Sequence, residues 1–518
     1  MAFVIPLLSR LWGRARPTMQ ARRSQLVAQA AMNRVAKMRA RYDAAQTTSE
    51  NSEHWRQADE LSGRAANSWS TRRTLRTRAR YEVGSNCYAS GMLLTVANDV
   101  VGTGPRLQMA LQETENNQVI EREFMAWARS INLPSKLRTA VLTKKRDGEI
   151  FIKMITNPGH GSPVWLDLEL LEGDQCWTPA FVPDKAHVDG IAFDQWGNPE
   201  SYDLLDCHPG DDFPLNNWTP KKVAAADVCH WFRTDRPGAR RGIPEITPAL
   251  PLYAQLRRFT LAVITAAETA ADHAGILEST ASSSGDTDGD LSAASPFDEV
   301  PYSRGMLTAV PFGWKLSQLR AEHPTTTYAM FKAEILNEIA RCLNMPFNVA
   351  AGNSQGYNYS SGRLDHQIYF RSIGIEQADC ETVILDKVFR AWYREARLIR
   401  RADGSPLVPE VDLSYRPFSW AWDPAEDLDP VKTANANMIK LSSGQTSIQR
   451  MFSQQGLDWE VEQQQQAESL GITLVEFRKL LVQKFFGALA EKDPRLDKLE
   501  ARRRKQKRAG LWPKWLGV

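Results

Sequence analysis

Two runs of helical hydrophobic periodicity, separated by a polar segment that carries glycines, constrain this chain more than any other feature. Upstream, Phe331, Ile335, Ile339 and Leu343 recur every fourth residue, and Leu336 widens the stripe. Downstream, Leu364, Ile368, Ile384, Val388 and Trp392 keep the same kind of face, which predicts a second, longer helix. Pro346 ends the first rod, and Gly352, Gly356 and Gly362 prevent it from simply continuing. The loop expected between them, 345–362, is longer than helix–helix connections usually are, which run to about 2–8 residues. Asn348, Asn353, Ser354, Gln355, Asn358, Tyr359, Ser360 and Ser361 offer neutral hydrogen-bonding groups, and no charge appears before Arg363. Such a surface can touch phosphates or sugars without the salt-dependent grip of a lysine row.

The remaining punctuation predicts an α+β chain. Helices are expected over 80–101, ending at the glycine-proline stop 102–105, and over 113–130. Strands are expected over 149–155, 164–171, 190–193, 202–206 and 228–232, separated by Asp-Gly, Asn-Pro and Gly-Asn-Pro turns. Asp147-Gly148-Glu149 reads as a hairpin turn entering a strand. An alanine- and leucine-rich helix over 249–273 precedes a low-complexity gap at 282–290, with short strands near 306–307 and 314–316. A strand over 411–422 leads to a glutamine-rich helical region at about 430–500.

Charge is distributed unevenly along 518 residues of net charge +3. Residues 1–80 carry 16 Lys/Arg against 5 Asp/Glu, and 501–518 carry 7 against none, which leaves −15 for 81–500. A basic, mostly helical arm and a basic tail thus flank an acidic body, which is not the profile of a sequence-specific DNA binder. The first 40 residues are arginine-rich and resemble a mitochondrial transit peptide, or equally a basic partner-binding arm. No apolar run reaches the ~20 residues of a membrane span. Of sixteen tryptophans, Trp55, Trp69, Trp512 and Trp515 sit in polar surroundings of the kind found at association surfaces.

Nucleotide-binding and zinc-protease signatures are missing from the sequence. No Gly-Lys-Ser/Thr or HExxH occurs, and Val101-Gly102-Thr103-Gly104 is half a dinucleotide fingerprint that follows a helix, with Leu107 where the third glycine belongs. The six cysteines are scattered, which suits a reducing compartment. Cys207-His208 and Cys229-His230 could in principle give four metal ligands, but adjacent side chains on a strand point to opposite faces. Asp423, Glu426, Asp427 and Asp429 lie beside Pro424 and Pro430, where acids suit a turn and a helix N-terminus. No cofactor and no metal site is expected.

A set of motifs in fixed order resembles the portal proteins of tailed bacteriophages, in the lambda-like branch. Asn98-Asp99-Val100-Val101-Gly102-Thr103-Gly104 is similar to the family's "VVG-x-G" helix end, and Asp147-Gly148-Glu149 to its "DGE" turn. His187-Val188-Asp189-Gly190-Ile191 through Tyr202 resembles its "GI-x-x-D-x-x-G…Y" strands. His230-Trp231-Phe232 with Arg236-Pro237-Gly238-Ala239-Arg240-Arg241-Gly242-Ile243-Pro244 resembles "H-x-F…RPGQ-x-RG-x-P", with Ala239 in place of Gln. Asn358-Tyr359-Ser360-Ser361-Gly362-Arg363 resembles "NYSSAR", with Gly362 for Ala, and Asp429-Pro430-Val431-Lys432 followed by Gly444-Gln445-Thr446 completes the order.

The resemblance implies a portal-type α+β fold and a ring, usually a dodecamer, at one capsid vertex. Double-stranded DNA would pass through its axis during packaging and ejection. After the N-terminal arm 1–80, it implies a mixed α/β wing (81–245), stem helices (246–275 and 323–344) and a small α/β clip (276–322). It further implies a tunnel loop (345–362), the long helix and return strand of the wing (363–429), a helical crown (430–500) and the tail (501–518). The tunnel-loop residues facing DNA would be Asn353, Ser354, Gln355, Tyr357, Asn358, Tyr359 and Ser360. Implied partners are further copies of the chain, the large terminase subunit, major capsid and scaffold proteins, the head–tail connector, and DNA without sequence specificity. The protein would reside in the virion and, during assembly, in the host cytoplasm. The competing class is a DNA-processing enzyme, a nuclease or terminase subunit, against which the missing nucleotide motif counts.

Overall fold

The computed structural model describes residues 26–29, 31, 49, 52–111, 113–178, 187–212, 219–271, 275–279, 314–318, 327–424, 430–454 and 459–483. The chain divides into two units, Met1–Ser62 and Gly63–Val518. In the first, 26–29 are helical and 52–57 form turns, with Trp55 exposed. Everything below concerns the second.

Helices α1 (Trp69–Ser85) and α2 (Cys87–Val101) occupy the region where one helix over 80–101 was expected. Asn86 separates them. Its backbone is extended and its side chain accepts from the amides of Tyr88 and Ala89, so it caps α2 and cannot continue α1. Gly102, at φ 55°, ends α2 at the expected glycine. Strand β1 (Arg106–Met109), which the sequence reading missed, pairs antiparallel with β11 (Phe418–Ala421). The strand expected over 411–422 is therefore only its last four paired residues. Before them, Asp412 turns the chain by accepting from the Ser414 amide, and Arg416 adopts φ 53°.

Helix α3 (Thr114–Ser130) agrees with expectation, but a further helix, α4 (Leu133–Asp147), was not foreseen. Asn132, left-handed at φ 54°, and Pro134 start it, and Gly148 at φ 92° stops it. Asp147-Gly148-Glu149 is thus a helix-to-strand junction and not a hairpin, because Glu149 opens β2 (Glu149–Thr156) directly. β2 is the centre of a three-stranded antiparallel sheet between β3 (Leu166–Glu172) and β8 (Val228–Phe232). A second antiparallel sheet runs β4 (His187–Val188), β5 (Ile191–Phe193), β6 (Pro199–Leu204), β7 (Lys221–Ala224).

Helix α5 (Leu250–Ala271) is followed by β9 (Gly275–Ser279), which pairs antiparallel with β10 (Trp314–Gln318). The strand expected near 306–307 and the gap at 282–290 lie outside the described residues. Helix α6 (Thr327–Arg341) returns. A short helix, α7 (Phe347–Ala351), stands inside the expected loop, and α8 (Tyr359–Cys380) begins within it. A π-helical turn, Glu381–Leu385, joins α8 to α9 (Asp386–Ala396) in one continuous rod. Helices α10 (Pro430–Ser442), α11 (Ile448–Gln454), α12 (Trp459–Ser469) and α13 (Leu474–Val482) form the glutamine-rich region. Among the described residues no helix is long and apolar enough to cross a membrane.

The main core is aromatic where α3, α9 and β11 meet. Phe124 packs edge-on against Trp392 and Phe389 at centroid distances of 5.2 and 5.5 Å, and Phe389 against Phe418 at 4.7 Å. Trp127 donates its indole N–H to the Leu166 carbonyl at 2.8 Å, tying α3 to the three-stranded sheet. Ile384, Val388 and Trp392 lie in this core as their periodicity predicts. Leu364 and Ile368 do not: they are 63% and 57% exposed on α8, where Tyr369 and Ile373 are the residues that reach the core.

Candidate nucleic-acid interface

The polar segment between the rods is shorter and better built than its composition suggests. Asn344 turns left-handed at φ 51°, and Pro346 in extended conformation starts α7. Ala350 is buried against the core, and Phe347 and Val349 pack beside it. Gly352, at φ 62°, closes α7, with the Asn353 amide donating back to the Asn348 carbonyl at 3.0 Å. That is the six-to-one hydrogen bond of a glycine C-cap. The non-helical connection therefore runs from Gly352 to Asn358.

Within it, Asn353 accepts from the Gln355 amide at 2.9 Å, and Ser354 accepts through its carbonyl from the Tyr357 amide at 3.2 Å. Gly356, at φ 82°, holds the third position of that turn, where a side chain would be strained. Asn353, Ser354, Gln355 and Asn358 are exposed, and Tyr357 is half-buried over the first turn of α8. A β-carbon on Gly362 would sit 3.6 Å from the Tyr357 ring. Tyr359 and Ser360 are not loop residues: they open α8.

Both legs of this turn stand on a rigid floor. The Tyr369 hydroxyl donates to Asp99 at 2.6 Å, and Gln377 donates to the Val100 carbonyl at 3.0 Å, which fixes α8 on α2. Burial raises the Asp99 carboxyl above its ordinary range, although the Tyr369 bond opposes this. Deeper along α8, Glu376 pairs with Lys144 and, at 2.6 Å, with Lys145, which also meets Glu245 at 2.8 Å. Burial would raise the Glu376 carboxyl, but Lys145 and Lys144 outweigh it and hold it low. The Lys144 ammonium lies 4.6 Å above the Trp231 ring.

The sequence reading missed the largest polar structure of the molecule, in which its own motif residues take part. Glu149 is fully buried and accepts two bonds from Arg241, both 2.7 Å, one from Arg76 at 2.8 Å and one from His230 at 3.1 Å. Burial alone would raise its carboxyl; Arg241, His230 and Arg76 hold it well below the usual range. Arg241 also donates to the carbonyls of Gly173 (2.7 Å) and Asp189. Asp147 binds Arg80 through both oxygens, and Arg80 reaches Glu172 (2.6 Å) and Asp174 (2.9 Å). The signal available in sequence was arginine at 72, 76 and 80, a spacing of four that puts three guanidinium groups on one face of α1.

The histidines of both doublets touch this network, His208 beside Asp174 and His230 beside Glu149. His208 lies near Glu172 and Asp174, a grouping with ligand chemistry, but those carboxylates already face Arg80, Arg76 and Arg146. Cys229 is buried on β8, and burial pushes its thiol up to about 11. His230, on the other face, stacks between Phe151 and Phe232 at 4.2 and 4.4 Å. Asp423 accepts from the Thr103 amide and hydroxyl and so fastens the end of α2 to the strand β11 region. Glu426, Asp427 and Asp429 lie outside the described residues.

The model of the family described as phage portal protein, lambda family, matches residues 48–377. A curated protein of Halomonas phage phiHAP-1, named probable portal protein, is 25% identical over 394 residues, covering 70% of this chain and 74% of that protein. Two solved structures are distantly similar to this chain, at 13% identity. One is the virion of a native gene transfer agent particle (TM-score 0.42, 74% of this chain and 92% of the other). The second is the neck of such a particle computed with C12 symmetry (TM-score 0.41, 76% and 96%). Both structural likenesses are distant.

Proposed function

This chain belongs to the lambda family of phage portal proteins, and from that premise we propose that it assembles as a ring at one capsid vertex, most simply a dodecamer. Double-stranded DNA passes along the ring axis when the head is filled and when it empties. The match of the family model over 48–377 carries this reading. The sheets of 81–245 form the wing, α5 and α6 the stem, β9 and β10 the base of the clip, and α10 to α13 the crown. The turn Gly352–Asn358 faces the channel, with Asn353, Ser354, Gln355, Tyr357 and Asn358 nearest the DNA and Tyr359 and Ser360 at its foot.

Three observations support it. Leu261 and Ile264 on α5, Met330 and Phe331 on α6, and Leu364, Ile368 and Ile375 on α8 are apolar and exposed in the single chain, as surfaces meant for neighbouring copies would be. The connection between α7 and α8 is uncharged and held on ordered legs. The acidic excess of 81–500 repels a DNA backbone and favours sliding over capture. The clip would dock the terminase motor and later the connector, while capsid and scaffold proteins would surround the wing. The chain acts as a channel and platform and performs no chemistry of its own in this reading.

Negative-stain microscopy of the purified protein tests it. Rings with a central hole are expected. Compact monomers at high concentration, or metal-dependent nuclease turnover, would overturn it in favour of a DNA-processing enzyme.

A further inference from the structure

A pair of polar side chains joins the two legs of the turn. Asn348, on α7, donates its amide nitrogen to His366 Nε2, on α8, at 3.1 Å. In this arrangement the amide NH2 donates and Nε2 accepts. Both side chains are half-buried, and the His366 ring leans on Phe370 at a centroid distance of 5.9 Å. The other end of the Asn348 amide, Oδ1, is buried without a hydrogen-bond partner. A position needed only for packing would be apolar and avoid that cost; this one keeps an asparagine that uses its nitrogen alone.

The location of the pair gives it leverage. Three residues beyond His366, Tyr369 fastens α8 to Asp99 on α2, and beyond that the rod is held by Gln377 and Glu376. On either side of Asn348 the chain is held by the packing of Phe347, Val349 and Ala350. The segment from Gly352 to Leu364 is exposed or half-buried wherever its side chains are described. Asn348–His366 therefore joins the two legs between the core-packed residues and the exposed turn.

We infer that His366 and Asn348 are positioning residues: their hydrogen bond sets the spacing of the two legs and so fixes where the Asn353–Tyr357 turn projects. This rests on the reading of that turn as the channel-facing one, but the brace itself can be measured without DNA. With the bond intact, α7 and the first turns of α8 move together. With it broken, α7 can fray from its glycine end while the core packing and the Tyr369–Asp99 contact persist.

The test is hydrogen exchange on the assembled full-length protein, comparing H366A and H366Q with the unaltered chain. The amides of Ala350, Gly352 and Asn353, which donate to Pro346, Val349 and Asn348, are the reporters. In H366A their exchange should rise about three- to tenfold, the size of one net hydrogen bond, while the β2 amides and the melting temperature stay as they were. In H366Q the new carbonyl can accept from Asn348, and exchange should return toward the original rate. Unchanged reporters in H366A, or equal acceleration throughout the chain in both variants, would overturn the brace. DNA retention in filled heads is the separate arm. If the reporters respond as expected and retention responds to neither variant, the brace stands and the channel-facing reading of the turn falls.

Discussion

Gly148 and Gly242 meet backbone to backbone. A β-carbon on Gly242 would overlap the carbonyl oxygen of Gly148, and one on Gly148 would overlap the backbone of Ile243. Two motifs that are 94 residues apart in sequence are thus glycine-bearing for one shared reason. The end of α4 must lie directly on the segment that delivers Arg241 to Glu149. Replacing Gly242 by alanine should cost about 3 kcal/mol or more, since neither backbone can give way without moving the buried ion pair. A shift of the denaturation midpoint measures it, and an unaltered midpoint would show that the approach is slack.

Acid should unfold this region in two stages. His230 is held neutral by burial, below its ordinary pKa, so its unfolded form binds a proton more readily. The stability tied to it is complete above the unfolded value of about 6.5 and is lost as pH falls below that. Glu149 is also depressed, so its contribution is complete above about 4.3 and fades as pH drops toward its folded value. Stability measured against pH should therefore begin to decline near 6.5 and steepen below about 4.3, and H230Q should remove the first stage.

Removing the charge of Glu149 has a separate consequence at neutral pH. Glu149→Gln leaves Arg241 and Arg76 buried against a neutral amide, with an expected loss of about 3–5 kcal/mol. Calorimetry or denaturant titration reads it. A loss below about 1 kcal/mol would mean that the guanidinium groups find water or the neighbouring carbonyls instead.

Gly362 offers the opposite sign. It lies in the first turns of α8, and a β-carbon there would make ordinary contact with the Tyr357 ring. Gly362→Ala, which restores the residue of the family motif, should stabilise the protein by about 0.5–1 kcal/mol through reduced unfolded-state freedom. The melting temperature should rise with no change in ring assembly.

Charging the turn should convert passage into capture. Ser354→Lys with Gln355→Lys places new cations on exposed positions without touching α7 or α8. The affinity of rings for duplex DNA should rise at low salt, and its logarithmic salt slope should steepen by about 0.9 for each phosphate engaged. Packaging should slow. Equal salt slopes before and after would mean that the turn does not reach DNA.

The legible part of the molecule was its local grammar. Strands 149–155 and 228–232 and the helix over 249–273 follow from periodicity and turn residues, and the structure has them nearly as expected. What escaped depended on partners far away in sequence. α4 was missed because its polar residues look solvated, yet Lys144, Lys145 and Asp147 are buried by charges from 80, 245 and 376. The loop was overestimated because α7 is made of residues whose helicity is enforced by packing of Ala350, not by propensity. Leu364 and Ile368 obey the helical period and still face outward, since period alone does not say which face of a helix the body covers.

The π-turn at Glu381–Leu385 has a geometric consequence for the rod that contains it. Buried residues after Cys380 recur at intervals of four, at Ile384, Val388, Trp392 and Ala396. In a plain α-helix each such interval drifts by about 40°, so the series would spiral off the core within a few turns. One wide turn holds an additional residue and takes up about 100° of that drift. The rod therefore keeps Cys380 and Trp392 in phase through a local change of pitch, much as a vernier joins two scales with different divisions. Its aromatic end and its turn-bearing end are each indexed to the body, and the register between them is stored in five residues.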